Sequence, residues 1–425
     1  AEEQFPDHIM TFLARSEGMN LLAHLLGSSD YLWDDFLGIH FRNLVPFLER
    51  LARQTALPVA SSKDALRHDL RDRLRAAATF DDKKSALNRF KDDQLFITDA
   101  QHLLDPRATL INFSEALTDL AEVVIDEAVN MCFENIARPT RGAFTVCGLG
   151  KFGGREMGYA SDLELLFIHE ETEGVSGSIF ESLARRVVEC IEARAKGVFQ
   201  IDLRLRPYGD AGAWSVPFDE FKRYYSLGGQ ALPYERQALV KLRWVAGNEW
   251  LGRRVESHRD TFTYSDAPWD RENALHLRRR QMRELVKPGE INVKYSAGGI
   301  IDIEYAIQYQ QLLHGKHYPE LRSPNTLHAL DVLHRLEIIQ TKEYEVLHPA
   351  YLFLRNLIDA LRIVRGDASD LLLPEETSEE FKALARRLGY REKDRTQAAL
   401  KLSADIRQRM KNAHAVFLAL TVPSS

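Results

Sequence analysis

The sequence predicts a mostly helical α+β protein in which a small α/β unit lies between two helical regions. Up to about residue 140, apolar side chains recur at helical spacing, most clearly in the run SEALTDLAEVVIDEAVNMCFENIA. After Pro139 the pattern changes to that of short strands, and from about Pro217 helical patterns return and continue almost to the C-terminus. The predicted domains are a helical N-terminal region (1–140), a middle α/β domain (141–255) and a C-terminal helical bundle (256–425).

The middle unit is the one part of the sequence with clear mixed character. Residues 142–148 and 161–169 are predicted as strands, and a third strand is predicted over 198–205. Between 177 and 196, apolar residues line one face of a predicted helix. We therefore look for the protein's chemistry in this β–β–α–β block.

The composition is that of an ordinary globular protein and excludes several classes. Hydrophobic residues make up 45% and charged residues 28% of the 425 positions. The net charge of −6 argues against a protein whose main task is coating nucleic acid. Three cysteines without C-x-x-C spacing predict neither a zinc site nor a disulfide framework. The first residues, AEEQFPDHIM, lack the pattern of a signal peptide, and no stretch reaches the ~18 apolar residues of a membrane helix, so we expect a cytoplasmic protein.

A glycine-rich segment, GLGKFGG at 148–154, follows the first predicted strand and matches G-x-G-x-x-G. A dinucleotide-binding unit would need a helix and a second strand before its acidic residue about 20 positions on. Asp162 follows Gly154 too soon for such a crossover. The Walker pattern also fails, because Lys151 precedes the glycine pair. The segment is therefore either a tight turn that approaches phosphate or a purely structural turn.

Carboxylates follow this turn on two predicted strands. Asp162 and Glu164 are two residues apart, so both project from one face of their strand. Asp202, Arg204 and Arg206 share one face of the third predicted strand. Any half-buried strand shows such alternation, but a purely acidic face costs free energy unless a cation neutralises it. Mg²⁺ prefers oxygen ligands and completes its shell with water and substrate phosphate, so this arrangement is what two-metal nucleotidyl transfer requires.

The basic residues near this block allow more than one interpretation. Arg204 and Arg206 either stabilise phosphate through forked hydrogen bonds or pair with acidic neighbours. Lys241, in a stretch over 234–247 that is predicted to be helical, is a surface residue by default. The basic run over 277–283 is predicted to be a solvated helix face.

A glycine pair followed by D-x-[DE] on a strand and by a lone Asp on a later strand resembles the DNA polymerase β-like nucleotidyltransferase superfamily. Longer segments are similar to motifs of the glutamine synthetase adenylyltransferase family, and the stretches NTLHALDVL and YLFLRNLIDALRIVRGD resemble its helical domain. The resemblance covers about residues 140–390. The segments are GLGKFGGREMGYASDLELLF (148–167), IDLRLRPYGDAG (201–212), YERQALVKLRWVAG (234–247) and NVKYSAGGIIDIEYAIQYQQL (292–312).

The resemblance implies a polymerase β-like catalytic domain with a two-metal Mg²⁺ site that transfers AMP from ATP to a tyrosine hydroxyl of glutamine synthetase. PII-type nitrogen-signalling proteins are implied as further partners, and neither nucleic acid nor a membrane is. The implied catalytic and metal-binding residues are Asp162, Glu164 and Asp202. The implied nucleotide-binding residues are Gly153, Gly154, Arg155, Ser161, Arg204, Arg206 and Lys241.

Family members carry two such units in one chain, one that adds AMP and one that removes it by phosphorolysis, and this sequence holds one unit. Ile301 stands where the removing unit has an arginine, which favours transfer, whereas RPYGDAG at 206–212 is similar to the removing unit. Deadenylylation therefore remains an alternative. The sequence leaves open whether the chain stands alone or belongs to a longer protein.

Glu164 stands where the family commonly has Asp, and its extra methylene displaces the carboxylate by more than ~1 Å, enough to lower a rate substantially. A catalytically weak nucleotide-binding homologue is therefore another alternative. A polymerase or RNA-tailing enzyme shares the catalytic core, but the net charge and the lack of an aromatic–basic stretch count against it.

Overall fold

The computed structural model describes residues 61–421 apart from 105–108, 136–143, 171–175, 194–198, 269 and 366–369, and it describes only positions 11 and 14 among the first sixty residues. The helical pattern predicted for residues 1–60 therefore lies outside the described residues. Within them, helices predominate and one small mixed sheet is present, which confirms the predicted mostly helical α+β class.

From residue 61 onwards, three helices precede the sheet: α1 (Lys63–Ala76), α2 (Phe80–Leu104) and α3 (Leu110–Glu134). The side-chain oxygens of Ser62 and Thr109 accept hydrogen bonds from the first turns of α1 and α3, satisfying backbone N–H groups that the helix leaves free. Helix α3 is buried along most of its length because it packs against both neighbouring helices and the sheet.

The sheet has both antiparallel and parallel pairs. Strand β1 pairs antiparallel with β2 and β5, while β3 and β4 pair parallel with the two ends of the other edge of β2. The predicted strands over 142–148 and 161–169 are confirmed as β1 and β2. Residues 243–247, predicted to be helical, form a strand instead. The strands are β1 (Phe144–Gly148), β2 (Leu163–His169), β3 (Ile201–Asp202), β4 (Ser215–Pro217) and β5 (Arg243–Gly247).

The third predicted strand, 198–205, is wrong in its length, because β3 contains only Ile201 and Asp202. The chain then turns: the Gly209 N–H donates to the Arg206 carbonyl at 2.9 Å, and Tyr208 has a left-handed φ of 64°. The turn begins before this, because the Leu203 carbonyl accepts from the Arg206 N–H at 3.4 Å, and Pro207 has no N–H with which a strand could continue. The expectation that Asp202, Arg204 and Arg206 share one strand face is therefore wrong beyond Asp202.

Apolar side chains cover both faces of the sheet. Alternate residues of β2, such as Leu163 and Leu165, pack against α3 and α5, while Leu166 and Ile168 pack against α6 and α8 on the other face. The helix predicted over 177–196 is confirmed but ends at Cys190. The helices of this unit are α4 (Gly150–Gly153), α5 (Gly177–Cys190), α6 (Phe218–Tyr224), α7 (Pro233–Ala238) and α8 (Glu249–Thr263).

The remaining helices form a unit with its own apolar core, to which α10 to α14 contribute. The basic run over 277–283 lies on α9, and its interpretation as a solvated face is wrong for Arg278, whose buried Nε donates to Asp302 Oδ1 at 2.7 Å. No helix within the described ranges is both apolar and long enough to cross a bilayer. The helices are α9 (Arg271–Leu285), α10 (Ile300–His314), α11 (Thr326–Arg335), α12 (Thr341–Arg365), α13 (Glu379–Arg387) and α14 (Arg395–Thr421).

A buried polar cluster joins this helical unit to the sheet unit. Lys241 Nζ donates to Glu156 Oε2 at 2.8 Å and to Thr326 Oγ1 at 2.7 Å, and Arg355 Nη2 donates to the Glu156 carbonyl at 2.7 Å. We call these four residues the Glu156 cluster. Burial would raise the pKa of Glu156, but the charges of Lys241, Lys151 and Arg355 outweigh it and hold this pKa at about 2. The Glu156 carboxylate is therefore ionised and fixed between the two units.

We predict that Glu156→Gln lowers the free energy of unfolding by about 3–5 kcal/mol at pH 7, because it leaves the buried Lys241 ammonium without its counter-charge. The pKa of Glu156 is depressed in the folded chain, so its contribution is present above about pH 4.5 and is lost as the pH falls towards 2. In urea unfolding, the difference in the free energy of unfolding between wild type and Glu156→Gln should therefore be roughly 2 kcal/mol smaller at pH 3 than at pH 7.

The exposed Glu345 of α12 provides the matched control, since Glu345→Gln should change the stability by less than about 0.5 kcal/mol at either pH. Equal, small effects of the two substitutions at pH 7 would contradict the structural role of the Glu156 cluster.

Candidate active site

The three predicted carboxylates come together at the start of the central strand. Asp162 immediately precedes β2, and Glu164 is the second residue of that strand. The parallel register places Glu164 beside Asp202 of β3. Neighbouring strands lie about 4.8 Å apart and residues two apart share a face, so all three carboxylates face the same region.

The electrostatics of the three groups show their proximity. Burial and then the charge of Asp202 raise the pKa of Asp162. Burial also raises the pKa of Glu164, and the charges of Asp202 and Asp162 add to this effect against the opposing charge of Lys294. Burial would raise the pKa of Asp202 as well, but its hydrogen bonds to Arg204 outweigh burial and lower this pKa. The site therefore concentrates negative charge that a cation would relieve.

Glu164 occupies a space that exists because residue 150 is glycine. Gly150 has a left-handed φ of 50°, and a Cβ atom at this position would overlap Glu164 Oε2. That oxygen is buried and has no hydrogen-bond partner among the described residues. A buried acceptor without a partner costs about 1–3 kcal/mol, which a bound cation would offset. The chemistry of Glu164 therefore fits a metal ligand.

The side-chain positions do not yet form a complete metal site. Among the described residues, no three His, Cys, Asp or Glu side chains are grouped closely enough to hold a metal ion. Asp202 is paired with Arg204, whose Nε lies 3.0 and 2.9 Å from the two Asp202 oxygens and whose Nη2 lies 2.6 Å from Oδ2. The residues fit a divalent cation in type and strand register, provided that Asp202 leaves Arg204.

The two arginines after β3 have different roles. Arg204 pairs with Asp202, the second of the two predicted interpretations, and its side chain is 75% exposed. Arg206 is buried and donates to the carbonyls of Leu203, Asp210 and Gly212. It therefore holds the loop after Asp202 in shape, with each of its three nitrogens donating to a backbone carbonyl. Phosphate binding by Arg206 stays a prediction.

The remaining predicted nucleotide-binding residues also contact protein. Gly153 lies against the Lys241 carbonyl and Gly154 against the Pro324 carbonyl, so a Cβ at either position would meet backbone.

The polar residues of this predicted set bond to protein groups. Arg155 donates to Glu122 and Asp119 at 2.9 and 2.7 Å, and Ser161 Oγ accepts from the Gly158 N–H at 2.8 Å. Lys241 is buried in the Glu156 cluster, so its default interpretation as a surface residue is wrong. Their contact with nucleotide stays a prediction, and their observed contacts shape the loop between α4 and β2.

Two cations from the helical unit were not predicted as site residues. The charge of Lys294, in the segment before α10, opposes part of the rise in the pKa of Glu164. The charge of Arg362 of α12 opposes part of the rise in the pKa of Asp162, and Arg362 Nη1 donates to the Tyr159 carbonyl at 2.8 Å. Both residues lie in segments that resemble the adenylyltransferase family. The side of the site that faces the helical unit is therefore basic.

Carboxylates on neighbouring strands beside a glycine turn are the arrangement that the sequence predicts for a nucleotidyltransferase. The model of the glutamate-ammonia ligase adenylyltransferase family matches residues 19–258, more than half of the chain. The chain belongs to this family. A second model, described as GlnD PII-uridylyltransferase, matches residues 268–421, which contain α9 to α14.

Curated relatives carry the name bifunctional glutamine synthetase adenylyltransferase/adenylyl-removing enzyme. The relative from Burkholderia pseudomallei is 31% identical over 80% of this chain and 38% of its own length. The relative from Neisseria meningitidis serogroup B is 30% identical over 71% of this chain and 33% of its own length. The relative from Nitrosomonas europaea is 26% identical over 95% of this chain and 44% of its own length. The chain thus spans less than half the length of these relatives.

We predict that Gly150→Ala displaces the Glu164 carboxylate, because the added Cβ would overlap Oε2. Divalent-cation affinity, measured by Mn²⁺ binding in electron paramagnetic resonance, should fall by at least about tenfold, a typical effect of losing support for a metal ligand.

Gly228→Ala is the matched control, since Gly228 also has a left-handed φ, 81°, but no atom lies within 4 Å of its added Cβ. This variant should bear only the backbone strain, about 1 kcal/mol, and should bind Mn²⁺ like wild type. Equal affinities in all three proteins would show that Gly150 does not make room for a metal ligand.

Proposed function

We propose that this chain is a Mg²⁺-dependent nucleotidyltransferase that transfers AMP from ATP to a tyrosine hydroxyl of glutamine synthetase. The observation that carries the proposal is the pairing of Glu164 with Asp202 across two parallel strands, next to Asp162, in a chain of the adenylyltransferase family. The names of the curated relatives support the proposed protein substrate. A cytoplasmic location follows from that substrate.

Each carboxylate has a part in this proposal. Asp162 and Glu164 are held by β2 and would bind the metal ions together with Asp202. When bound, Mg²⁺ would polarise the α-phosphate of ATP and stabilise the departing pyrophosphate. Asp202 lies beside Glu164 in the strand register, and its carboxylate would accept the proton of the attacking tyrosine hydroxyl.

The cations around the carboxylates complete the proposed site. If Asp202 bound the metal, the exposed guanidinium of Arg204 would be free to form forked hydrogen bonds to phosphate. Lys294 approaches from the helical unit and would balance the charge of the triphosphate. Both units of the chain would therefore supply cations to the bound triphosphate.

We favour transfer over removal of AMP as the direction of the reaction. Ile301, on the first turn of α10, is 8% exposed, so an apolar side chain is packed at the position where the removing unit has an arginine. The match of residues 268–421 to the GlnD PII-uridylyltransferase model supports the further proposal that PII-type signalling proteins are partners.

A second candidate, a nucleotide-binding homologue with little turnover, rests on one observation. Arg204 occupies both oxygens of Asp202, and no complete metal-binding group of three exists among the residues that the structure describes. If Arg204 keeps Asp202 in the presence of Mg²⁺ and ATP, the chain would bind nucleotide without forming the catalytic arrangement.

We predict that Asp162→Asn lowers the rate of AMP transfer to glutamine synthetase by at least about a hundredfold. Loss of a metal-held charge removes roughly 3 kcal/mol or more of transition-state stabilisation. The measurement is transfer of labelled AMP from ATP to glutamine synthetase of the same organism, with Mg²⁺.

Asp210→Asn is the matched control, because Asp210 is an exposed carboxylate on the loop after Asp202 that offers only its carbonyl to Arg206. This variant should retain the wild-type rate within about twofold. Absence of transfer by the wild-type chain, together with ATP binding, would favour the second candidate, and equal rates for wild type and Asp162→Asn would remove the carboxylate mechanism.

A further inference from the structure

One turn of α12 holds the backbone of the loop that leads into β2. Asp359 Oδ1 accepts a hydrogen bond from the Tyr159 N–H at 3.1 Å, and Arg362 Nη1 donates to the Tyr159 carbonyl at 2.8 Å. Asp359 and Arg362 are three residues apart on the helix and therefore lie on one face. Both backbone groups of a single residue are thus bonded by charged side chains of the helical unit. We call Asp359 and Arg362 the Tyr159 clamp.

The clamp acts on a stretch that needs external support. Ala160, which follows Tyr159, has a left-handed φ of 55°, and a non-glycine residue pays about 1–2 kcal/mol for this conformation. A Cβ on Gly158 would come within 2.5 Å of Asp359 Oδ1, so glycine at this position lets the carboxylate lie against the backbone. Asp162 follows two residues after Ala160. The direction in which Asp162 leaves the loop therefore depends on a backbone conformation that α12 stabilises.

The clamp also contains buried polar atoms that have no hydrogen-bond partner among the described residues. Asp359 is 2% exposed, and its Oδ2 has no hydrogen-bond partner among the described residues; the same holds for Arg362 Nε. Buried polar atoms without partners cost free energy, and apolar side chains would fill the same volume without this cost. The Arg362 charge is also close enough to Asp162 to oppose part of the rise that burial and Asp202 cause in the pKa of its carboxyl. The clamp therefore lies close to the carboxylate of Asp162.

We infer that Asp359 and Arg362 are positioning residues for the catalytic carboxylate Asp162, so that the helical unit forms part of the active site. This inference rests on the proposed function. It assigns a role at the carboxylates to a segment inside the region that matches the GlnD PII-uridylyltransferase model. The sheet unit would then lack a correctly placed Asp162 without α12.

The test compares Asp359→Ala, Arg362→Gln and the conservative Asp359→Asn in the full chain. Loss of a group that orients a metal ligand costs about 10- to 100-fold in metal affinity or activity. We therefore expect Asp359→Ala and Arg362→Gln to weaken Mn²⁺ binding and to lower kcat for AMP transfer by at least tenfold, with a smaller change in KM for glutamine synthetase. Asp359→Asn keeps an acceptor oxygen for the Tyr159 N–H and should restore most of both values.

Arg365→Gln is the matched control for a loss of charge on the same helix. Arg365 pairs with Glu380 at 2.7 Å and with Asp370 at 2.6 Å, inside the helical unit. Its substitution should lower Tm without changing Mn²⁺ affinity or kcat. If Asp359→Ala unfolds, the Asp359→Asn and Arg362→Gln proteins still provide the comparison, and circular dichroism identifies the folded ones.

The outcomes separate this inference from the proposed function. Folded clamp variants that match Arg365→Gln in both Mn²⁺ affinity and kcat would overturn the inference and leave the proposed function intact. A wild-type chain that binds Mn²⁺ but transfers no AMP would overturn the proposed function, while the Mn²⁺ affinities of the variants would still decide the role of the clamp. A wild-type chain that binds no Mn²⁺ would overturn both.

Discussion

The buried ion pair between Glu156 and Lys241 is the interaction on which the arrangement of the site depends. It lies where the loop between α4 and β2 meets both the sheet unit and the helical unit, and Thr326 and Arg355 complete its hydrogen bonds. A buried pair of this kind contributes little net stability compared with apolar packing, yet breaking it is strongly destabilising. Its effect is therefore to specify one position for the loop that ends in Asp162.

The site beyond this loop combines fixed and movable parts. The backbone of β2 and the space above Gly150 fix Glu164, whereas Asp202 depends on the rotamer of its carboxylate and on an exposed arginine. Ion pairs with an exposed partner are worth about 1 kcal/mol or less, so a divalent cation with bound triphosphate can displace Arg204 from Asp202. The site is accordingly organised for charge compensation from both sides, with carboxylates from the sheet and cations from the helical unit.

The sequence predicted the carboxylates correctly as neighbours because residues two apart on a strand share a face, and this holds for Asp162 and Glu164 whatever the rest of the fold. The same rule failed for Arg204 and Arg206, since the ladder ends at Asp202 and local hydrogen bonds of these two arginines shape the loop that follows. Strand β5 was missed because its short sequence, RWVAG, has no clear alternation. Arg362 could not be found from local patterns, because its contact with Tyr159 joins residues about 200 positions apart.

The most direct test of the account is a crystal structure of the chain with Mn²⁺ and a non-hydrolysable ATP analogue, in which anomalous scattering locates the metal. We expect an anomalous peak about 2.1 Å from oxygens of Asp162 and Glu164. Asp202 should also bind the metal, and Arg204 should be released towards the phosphates. Nucleotide bound elsewhere would contradict the assignment of these carboxylates as the metal site. So would nucleotide bound at this site with no anomalous peak beside Glu164 and with Asp202 still bonded to Arg204.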